Sequence, residues 1–290
     1  MSIRVTGGAL RLIAATVAVA SLAVLAGCGG GRTDIPDPTS KVEKNITYRE
    51  VEDQSLALDA CLPLTTDAPV PAVVLVHGGA FQEGDRKTMS GICGDLADAG
   101  YAAFSVDYRL VPAIYPAQQE DVAAAVEWLR QPEQKQRFGL SDSVSLLGSS
   151  AGAIIVMTTA ETLAGSGAPV DAVVGLSTAA VLTEAARELG SPPPELEQVV
   201  QGYLGCVKLT DCPSAVPASP VTVAASLPPT MLIHGSEELI PLAQAQTLVD
   251  ALNAAGVRNE LIVVDGDNHG LSLLNSKTRP SIFDFLASVQ

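Results

Sequence analysis

Residues 144–152 read Val-Ser-Leu-Leu-Gly-Ser-Ser-Ala-Gly and join an apolar run to a serine flanked by glycines. The apolar run 144–147 is typical of a buried strand, and residues 151–163 have the pattern of a helix. The serine between them is Ser150, with a glycine two residues away on each side. Because glycine leaves room where a strand turns sharply into a helix, this spacing predicts an exposed, reactive serine at the turn.

Three further polar motifs each follow an apolar run that is typical of a strand. In chain order they are His-Gly-Gly-Ala at 77–80, the acidic pair Glu237 and Glu238, and Asn-His-Gly at 268–270. With 25 Gly in 290 residues, a Gly-x-Ser-x-Gly match alone is weak evidence. The prediction therefore depends on the order: oxyanion loop, nucleophile, acid and base, each at the end of a strand.

The first two motifs supply the predicted nucleophile and its oxyanion hole. Ser150 is the expected nucleophile, and the dipole of the following helix favours negative charge that develops beside it. The backbone amides of Gly79, Ala80 and Ala151 are the expected donors to the oxyanion, while Gly78 shapes the turn. Glycines in this loop let N–H groups approach a tetrahedral oxyanion without a side chain in the way.

One of the three histidines is the expected general base. His269 lies in a polar loop after the last predicted strand, where the base belongs in this chain order. The other two, His77 and His234, each end a strand next to a glycine, and we expect structural roles for them.

The acid should hold the tautomer of the base and offset its positive charge. It should lie just beyond the strand that ends at His234. Glu238 is the favoured residue, although Glu237 also qualifies by position. Asp265 and Asp267 lie on the histidine's own loop and are expected to form its turn.

The rest of the chain alternates strand and helix patterns. Two neighbouring strands are predicted at 46–51 and 56–62. Near-continuous apolar runs follow at Ala72–Val76, Ala102–Val106, Val144–Leu147, Ala172–Leu176, Met231–His234 and Leu261–Val264. Helical patterns lie between them at Gln118–Arg130, Ala151–Leu163, Ala243–Ala255 and Ile282–Val289, with a further one ending before Gly100. The pattern predicts an α/β fold with a mostly parallel central sheet and helices on both faces.

The predicted α/β domain covers 45–290, and one stretch within it lacks the alternation of strand and helix patterns. Residues 178–229 contain several prolines and two cysteines. Such a stretch ahead of the acid-bearing strand either forms an insertion near the active site or is an ordinary surface loop.

Residues 1–27 have the features of a secretory signal. Arg4 and Arg11 precede a run of 15 uncharged residues, which closes with Leu-Ala-Gly-Cys at 25–28. This pattern predicts cleavage before Cys28, lipidation of Cys28, and tethering at a bacterial cell envelope. An uncleaved membrane helix is the alternative, but spanning a bilayer takes about 20 residues. Residues 28–44 are Gly- and Pro-rich and are expected to be a flexible tether.

The net charge limits the classes of partner. It is −15 for the whole chain, and becomes −17 without Arg4 and Arg11. A chain with so large a negative charge is not expected to bind nucleic acids or to attach to anionic lipid headgroups.

Four cysteines remain besides Cys28, and export would place them where disulfides persist. Four cysteines allow three pairings. Cys206 and Cys212 bracket a short loop, which favours a local bond and leaves Cys61 for Cys93. The alternative is four buried free thiols. No histidine and no Cys-x-x-Cys pair accompanies them, so a zinc site is not expected.

From Val73 to Gly270 the chain resembles the α/β-hydrolase esterases near the hormone-sensitive-lipase group. Within these it is similar to the branch of small lipase and esterase domains that includes bacterial acetylxylan and feruloyl esterases. The matching residues are His77-Gly78-Gly79, Asp107-Tyr108-Arg109-Leu110, Tyr115-Pro116-Ala117-Gln118, Glu120-Asp121, Trp128-Leu129, Gly148 to Gly152, Ser219-Pro220, His234-Gly235 and His269-Gly270.

The resemblance implies hydrolysis of carboxylic esters through an acyl-enzyme, without a metal or cofactor. Short acyl or aryl-acyl esters are the expected substrates, and a serine peptidase or a non-catalytic surface binding module of the same fold are the alternatives. The chain departs from the family pattern at Ala80 and Ala153, where glycine is usual, and at Glu238, where aspartate is usual. The segment from Glu238 to Pro241 is also one residue short.

Overall fold

A computed structural model describes residues 40–190 and 193–290. The predicted signal at 1–27, the predicted lipidation site Cys28 and most of the predicted tether lie outside these residues. The predicted tether extends to residue 44, but the first strand already begins at Ser40. Residues 40–44 are mostly polar and carry no apolar run. They form a strand because their backbone pairs with the neighbouring strand, with Lys41 opposite Leu62.

The described residues contain eight strands that form one sheet in the order β1-β2-β4-β3-β5-β6-β7-β8. The antiparallel strand β2 pairs with β1 and β4, and the remaining neighbours are parallel. The strands are β1 Ser40–Val51, β2 Gln54–Pro63, β3 Val70–Val76, β4 Ala102–Val106, β5 Leu140–Ser149, β6 Ala172–Leu176, β7 Thr230–Gly235 and β8 Asn259–Val264. The predicted mostly parallel α/β sheet is confirmed.

Helices connect the parallel strands, and one more helix follows the last strand. They are α1 Ser90–Asp98, α2 Ala117–Leu129, α3 Pro132–Phe138, α4 Ala151–Gly165, α5 Pro194–Leu204, α6 Leu242–Ala254 and α7 Thr278–Ala287. Short 3-10 helices lie at Arg86–Met89, Glu184–Leu189, Leu209–Asp211, Pro220–Ser226 and Gly270–Leu273. None of the helices in residues 40–190 and 193–290 is both long and apolar enough to cross a bilayer.

The sequence patterns do not predict two of these helices. The short helix α3 is polar and buries only Phe138, so it shows no apolar stripe. The helix α5 lies in the proline-rich stretch 178–229, where proline suggests a loop. Its proline is at the first helical position, where a missing N–H is tolerated, and Gly205 ends it with φ +70°.

Apolar side chains cover both faces of the sheet. Helices α2, α4 and α6 contribute to the core on one face, and α1 and α7 contribute to the core on the other. Successive residues of β3 point to opposite faces, so Val74 belongs to the first core and Leu75 to the second. Burial on both faces explains why the strands have near-continuous apolar sequences.

Two disulfides are present. Cys61 in β2 is bonded to Cys93 in α1, and Cys206 is bonded to Cys212 in the loop after α5. The first bond fastens a helix to the antiparallel edge of the sheet. The second joins two cysteines that are six residues apart in sequence, beside α5.

The topology brings the polar motifs to one edge. Strands β3, β5, β6, β7 and β8 run parallel, so their carboxyl ends meet at the same side of the sheet. The loops that follow β3, β5, β7 and β8 carry the four motifs found in the sequence.

Candidate active site

Ser150 occupies a sharp turn between β5 and α4. Its backbone has φ +55° and ψ −117°, a conformation that residues other than glycine rarely adopt. A Cβ on Gly148 would lie 2.2 Å from the carbonyl oxygen of Gly152, and a Cβ on Gly152 would lie 2.2 Å from that of Val76. The turn therefore requires glycine at both positions: at 148 to approach the start of α4, and at 152 to approach the end of β3.

His269 contacts both of its expected partners. Its Nε2 lies 2.8 Å from the Oγ of Ser150, and its Nδ1 is hydrogen-bonded to Oε2 of Glu238. An ionised carboxylate only accepts hydrogen bonds, so Nδ1 carries the proton and Nε2 is left to accept the hydroxyl proton. The three side chains thus form a continuous chain of hydrogen bonds from a carboxylate to a serine hydroxyl.

The side chain of Glu238 is fully buried. Its Oε1 accepts hydrogen bonds from the backbone N–H of Gly235 at 2.8 Å and from the Oγ of Ser177 at 2.9 Å. Burial raises the pKa of this carboxyl, but the hydrogen bonds from His269 and Gly235 outweigh burial and leave the pKa below its ordinary value. The group therefore remains ionised at neutral pH.

The other acidic residues considered for this position are exposed. Glu237 points to solvent although its neighbour in sequence is buried, and Asp265 and Asp267 are on the loop of His269, away from its ring nitrogens. Of the two glutamates that the sequence leaves open, the structure places Glu238 and not Glu237 against His269.

Ser177 has no role in the sequence analysis, yet the structure places it beside the acid. It directly follows β6 and is fully buried, with φ +56°. Besides its bond to Glu238, its Oγ accepts a hydrogen bond from the N–H of Gly270 at 2.7 Å. The sequence contains one signal for this role: Ser177 is a polar residue directly after a predicted parallel strand. The carboxyl ends of parallel strands meet at the same edge of the sheet, where the site lies.

The loop after β3 forms a turn next to Ser150. Gly79, Ala80 and Phe81 have φ values of +116°, +55° and +61°, so three successive residues adopt positive φ. The ring of Phe81 stacks on the ring of Tyr203 with 3.8 Å between ring centroids. The backbone carbonyl of Phe81 accepts a hydrogen bond from the N–H of Val111. These contacts fix the loop, and Ala80 adopts the turn without the glycine that is usual at that position.

Three amides near Ser150 are available to a ligand. In the described part of the chain, the N–H groups of Gly79, Ala80 and Ala151 donate to no protein acceptor. Ala151 begins α4, so its amide is one of the unpaired donors of a helix N-terminus. All three residues line the same cavity as Ser150 and His269.

The two remaining histidines are buried and fasten loops. His77 donates from Nδ1 to the carbonyl of Gly78 at 2.7 Å and stacks on Tyr108. His234 donates from Nε2 to the carbonyl of Ile240 at 2.8 Å. Burial lowers the pKa of both, so they are neutral at neutral pH.

The cavity beside Ser150 has a volume of about 690 Å³. Its walls are largely aliphatic. The stretch 178–229 contributes the aliphatic wall residues Val181, Leu182, Leu196, Val199, Val200 and Leu209, together with the charged Arg187 and Glu197. Within residues 40–190 and 193–290, no cluster of three or more His, Cys, Asp or Glu side chains is placed to hold a metal ion.

The strand order and the position of Ser150 at the strand-to-helix turn define the α/β-hydrolase fold class. The family model described as BD-FAE matches residues 58–252, more than half of the chain, and the chain belongs to that family. The resemblance to α/β-hydrolase esterases is thereby confirmed.

Several esterases are among the relatives of the chain. Esterase LipI of Mycobacterium tuberculosis is 35% identical over 128 residues, which cover 43% of this chain and 32% of LipI. Isoprenylcysteine alpha-carbonyl methylesterase ICME of Arabidopsis thaliana is 26% identical, over 87% of this chain and 62% of its own. The chain spans between 13% and 63% of the length of the curated relatives it matches.

A solved esterase has the same fold. The structure of the esterase from Pyrobaculum calidifontis superposes with a TM-score of 0.71 at 25% identity, covering 86% of this chain and 84% of that chain. Esterases thus occur among both the sequence relatives and the structures of similar fold.

Replacing Gly152 by alanine should lower the free energy of unfolding by about 1–3 kcal/mol, because the new Cβ would overlap the carbonyl of Val76. Gly165, at the other end of α4, is the matched control, since a Cβ added there would meet no heavy atom of the described residues within 4 Å beyond its own helix. Urea unfolding of Gly152→Ala and Gly165→Ala gives the comparison. Equal stability of the two variants would contradict the packing argument.

Proposed function

We propose that the protein is a serine carboxylesterase that hydrolyses esters through an acyl-enzyme intermediate. The observation that carries this proposal is the hydrogen-bonded chain from Glu238 through His269 to Ser150, next to amides that have no acceptor among the described residues. The esterases among its relatives support the same class of reaction.

In the acylation half-reaction His269 accepts the hydroxyl proton of Ser150 at Nε2 while Oγ attacks the carbonyl carbon of the ester. The carbonyl oxygen becomes an oxyanion that accepts hydrogen bonds from Gly79, Ala80 and Ala151. Removing one such donor typically costs about 3 kcal/mol of transition-state stabilisation. Glu238 stabilises the imidazolium and stays ionised, in keeping with its lowered pKa.

Collapse of the tetrahedral intermediate breaks the ester bond and completes acylation. His269 donates its proton to the leaving alcohol, and the acyl group stays on the Oγ of Ser150. A water molecule then takes the place of the alcohol. His269 accepts one of its protons while the hydroxyl oxygen attacks the acyl carbon, and the carboxylic acid leaves as Ser150 recovers its proton.

The aliphatic lining of the cavity favours substrates that carry an apolar group. Aliphatic side chains from residues 181–209 line it, and its volume of about 690 Å³ is in the range of pockets for small organic ligands. Short acyl and aryl-acyl esters match this chemistry because they need apolar contact and present one carbonyl for the polar groups. We infer that these are the substrate class.

Ser150→Ala should lower kcat/KM for 4-nitrophenyl esters by about a thousandfold or more, because the nucleophile is removed. The assay uses a series from acetate to palmitate, together with methyl ferulate, and Ser166→Ala at the exposed far end of α4 is the matched control. A fluorophosphonate should label Ser150 and no other serine.

Undiminished turnover by Ser150→Ala would refute the serine mechanism. Highest activity on palmitate would contradict the short-chain substrate class. Inactivity of the native protein on every ester would favour a binding module, and cleavage of peptides instead would favour a peptidase.

Glu238→Gln should lower kcat by about 10³- to 10⁴-fold with little change in KM, because glutamine neither holds the tautomer of His269 nor offsets its charge. Glu237→Gln is the matched control, since it removes the same charge from the exposed neighbour. Steady-state kinetics on 4-nitrophenyl butyrate separate the two. An equal loss in both variants would count against Glu238 as the acid.

We also propose that the protein is exported and anchored by lipid on Cys28 at a bacterial cell envelope. The support is in the sequence: an uncharged run of 15 residues leads to Leu-Ala-Gly-Cys at 25–28. An acylated cysteine that carries several chains binds a membrane far more firmly than a single myristoyl chain.

Cys28→Ser should move the protein from the membrane fraction to the soluble fraction of a bacterial expression host, because the thiol that accepts the lipid is gone. Immunoblots of separated fractions measure the shift, and Cys206→Ser is the control that removes a different cysteine. Membrane retention of the Cys28→Ser protein would contradict lipid anchoring.

A further inference from the structure

Ser177 connects the loop of the acid to the loop of the base. We propose that Ser177 is a positioning residue that fixes the carboxylate of Glu238 for its bond to His269. This inference rests on the esterase mechanism proposed above. It adds a fourth side chain, which touches neither the substrate nor the reacting atoms.

The two hydrogen bonds of the Ser177 hydroxyl determine its orientation. Its Oγ accepts from the N–H of Gly270 at 2.7 Å and lies 2.9 Å from Oε1 of Glu238. A hydroxyl has a single proton, and an ionised carboxylate can only accept. The proton of Ser177 is therefore directed at Glu238, and the backbone next to His269 is tied to the same oxygen.

The two carboxylate oxygens of Glu238 bind different partners. Oε1 accepts from Ser177 and from the backbone of Gly235, whereas Oε2 faces Nδ1 of His269. A glutamate side chain has several rotatable bonds and loses rotamer freedom when one position is imposed. Two donors on Oε1 hold the carboxylate so that Oε2 stays on the histidine.

The backbone of Ser177 gives independent support. Its φ of +56° suits glycine, and a residue with a side chain is strained in this conformation. Ser177 is fully buried, and its N–H donates to the carbonyl of Ile233 at 2.9 Å. What serine provides here beyond glycine is the hydroxyl, and strain of this kind is kept where a side chain has a function.

Ser177→Ala should lower kcat for 4-nitrophenyl butyrate by about tenfold to a hundredfold, because Glu238 loses a hydrogen bond that fixes its charged group. KM should change by less than about twofold, since Ser177 does not line the cavity. Thr178→Val is the matched control: its hydroxyl is the next in sequence, is buried, and has no hydrogen-bond partner in the described part of the chain.

A double-mutant cycle tests whether Ser177 acts through Glu238. If it does, Ser177→Ala should cost less than about twofold in a Glu238→Ala background, because the group that it positions is absent. An equal loss in both backgrounds, a rise in KM alone, or wild-type kinetics would overturn the proposal. Loss of activity in Ser150→Ala is measured in parallel, so failure of the esterase mechanism is distinguished from failure of the positioning role.

Urea unfolding establishes that the variants are folded. Should Ser177→Ala fail to fold, Ser177→Gly is used in its place, since glycine suits the positive φ and also lacks the hydroxyl. Failure of both variants to fold would overturn the proposal, because Ser177 would then be required for the structure itself.

Discussion

The contact between the start of α4 and the end of β3 is the constraint on which the site depends. Gly152 lies so close to the carbonyl of Val76 that no side chain fits between them. Two residues earlier, the backbone at Ser150 adopts a positive φ, and its hydroxyl lies 2.8 Å from Nε2 of His269. The same turn aims the first amide of α4, that of Ala151, at the cavity beside the hydroxyl.

The sheet supplies the remaining groups through its topology. Residues 150, 238 and 269 are far apart in sequence, but each follows a parallel strand whose carboxyl end lies at one edge. Apolar layers on both faces hold those strand ends in register. A buried carboxylate is tolerated there because backbone and side-chain donors satisfy it, which leaves an ionised group in a largely apolar setting.

Local patterns predict the sheet, most of the helices, and the positions of Ser150 and His269. They succeed because buried parallel strands leave long apolar runs and the polar motifs follow directly. They cannot separate Glu238 from Glu237, since neighbouring side chains in a loop differ only in which way the fold turns them. Ser177 and helix α5 escape prediction for a related reason: a lone serine and a proline-started helix carry little signal until their neighbours in space are known.

The stretch 178–229 forms much of the cavity wall, whereas the proposed reacting groups all lie on the other strand-end loops. Helix α5 within it is followed by the bond between Cys206 and Cys212, which fastens this stretch to itself rather than to the central sheet. Much of the cavity wall and the proposed reacting groups thus lie in separate parts of the chain. Under the proposed function, substitutions in this one stretch would change which molecules enter the cavity and leave the reacting groups in place, so new substrates could evolve without a new mechanism.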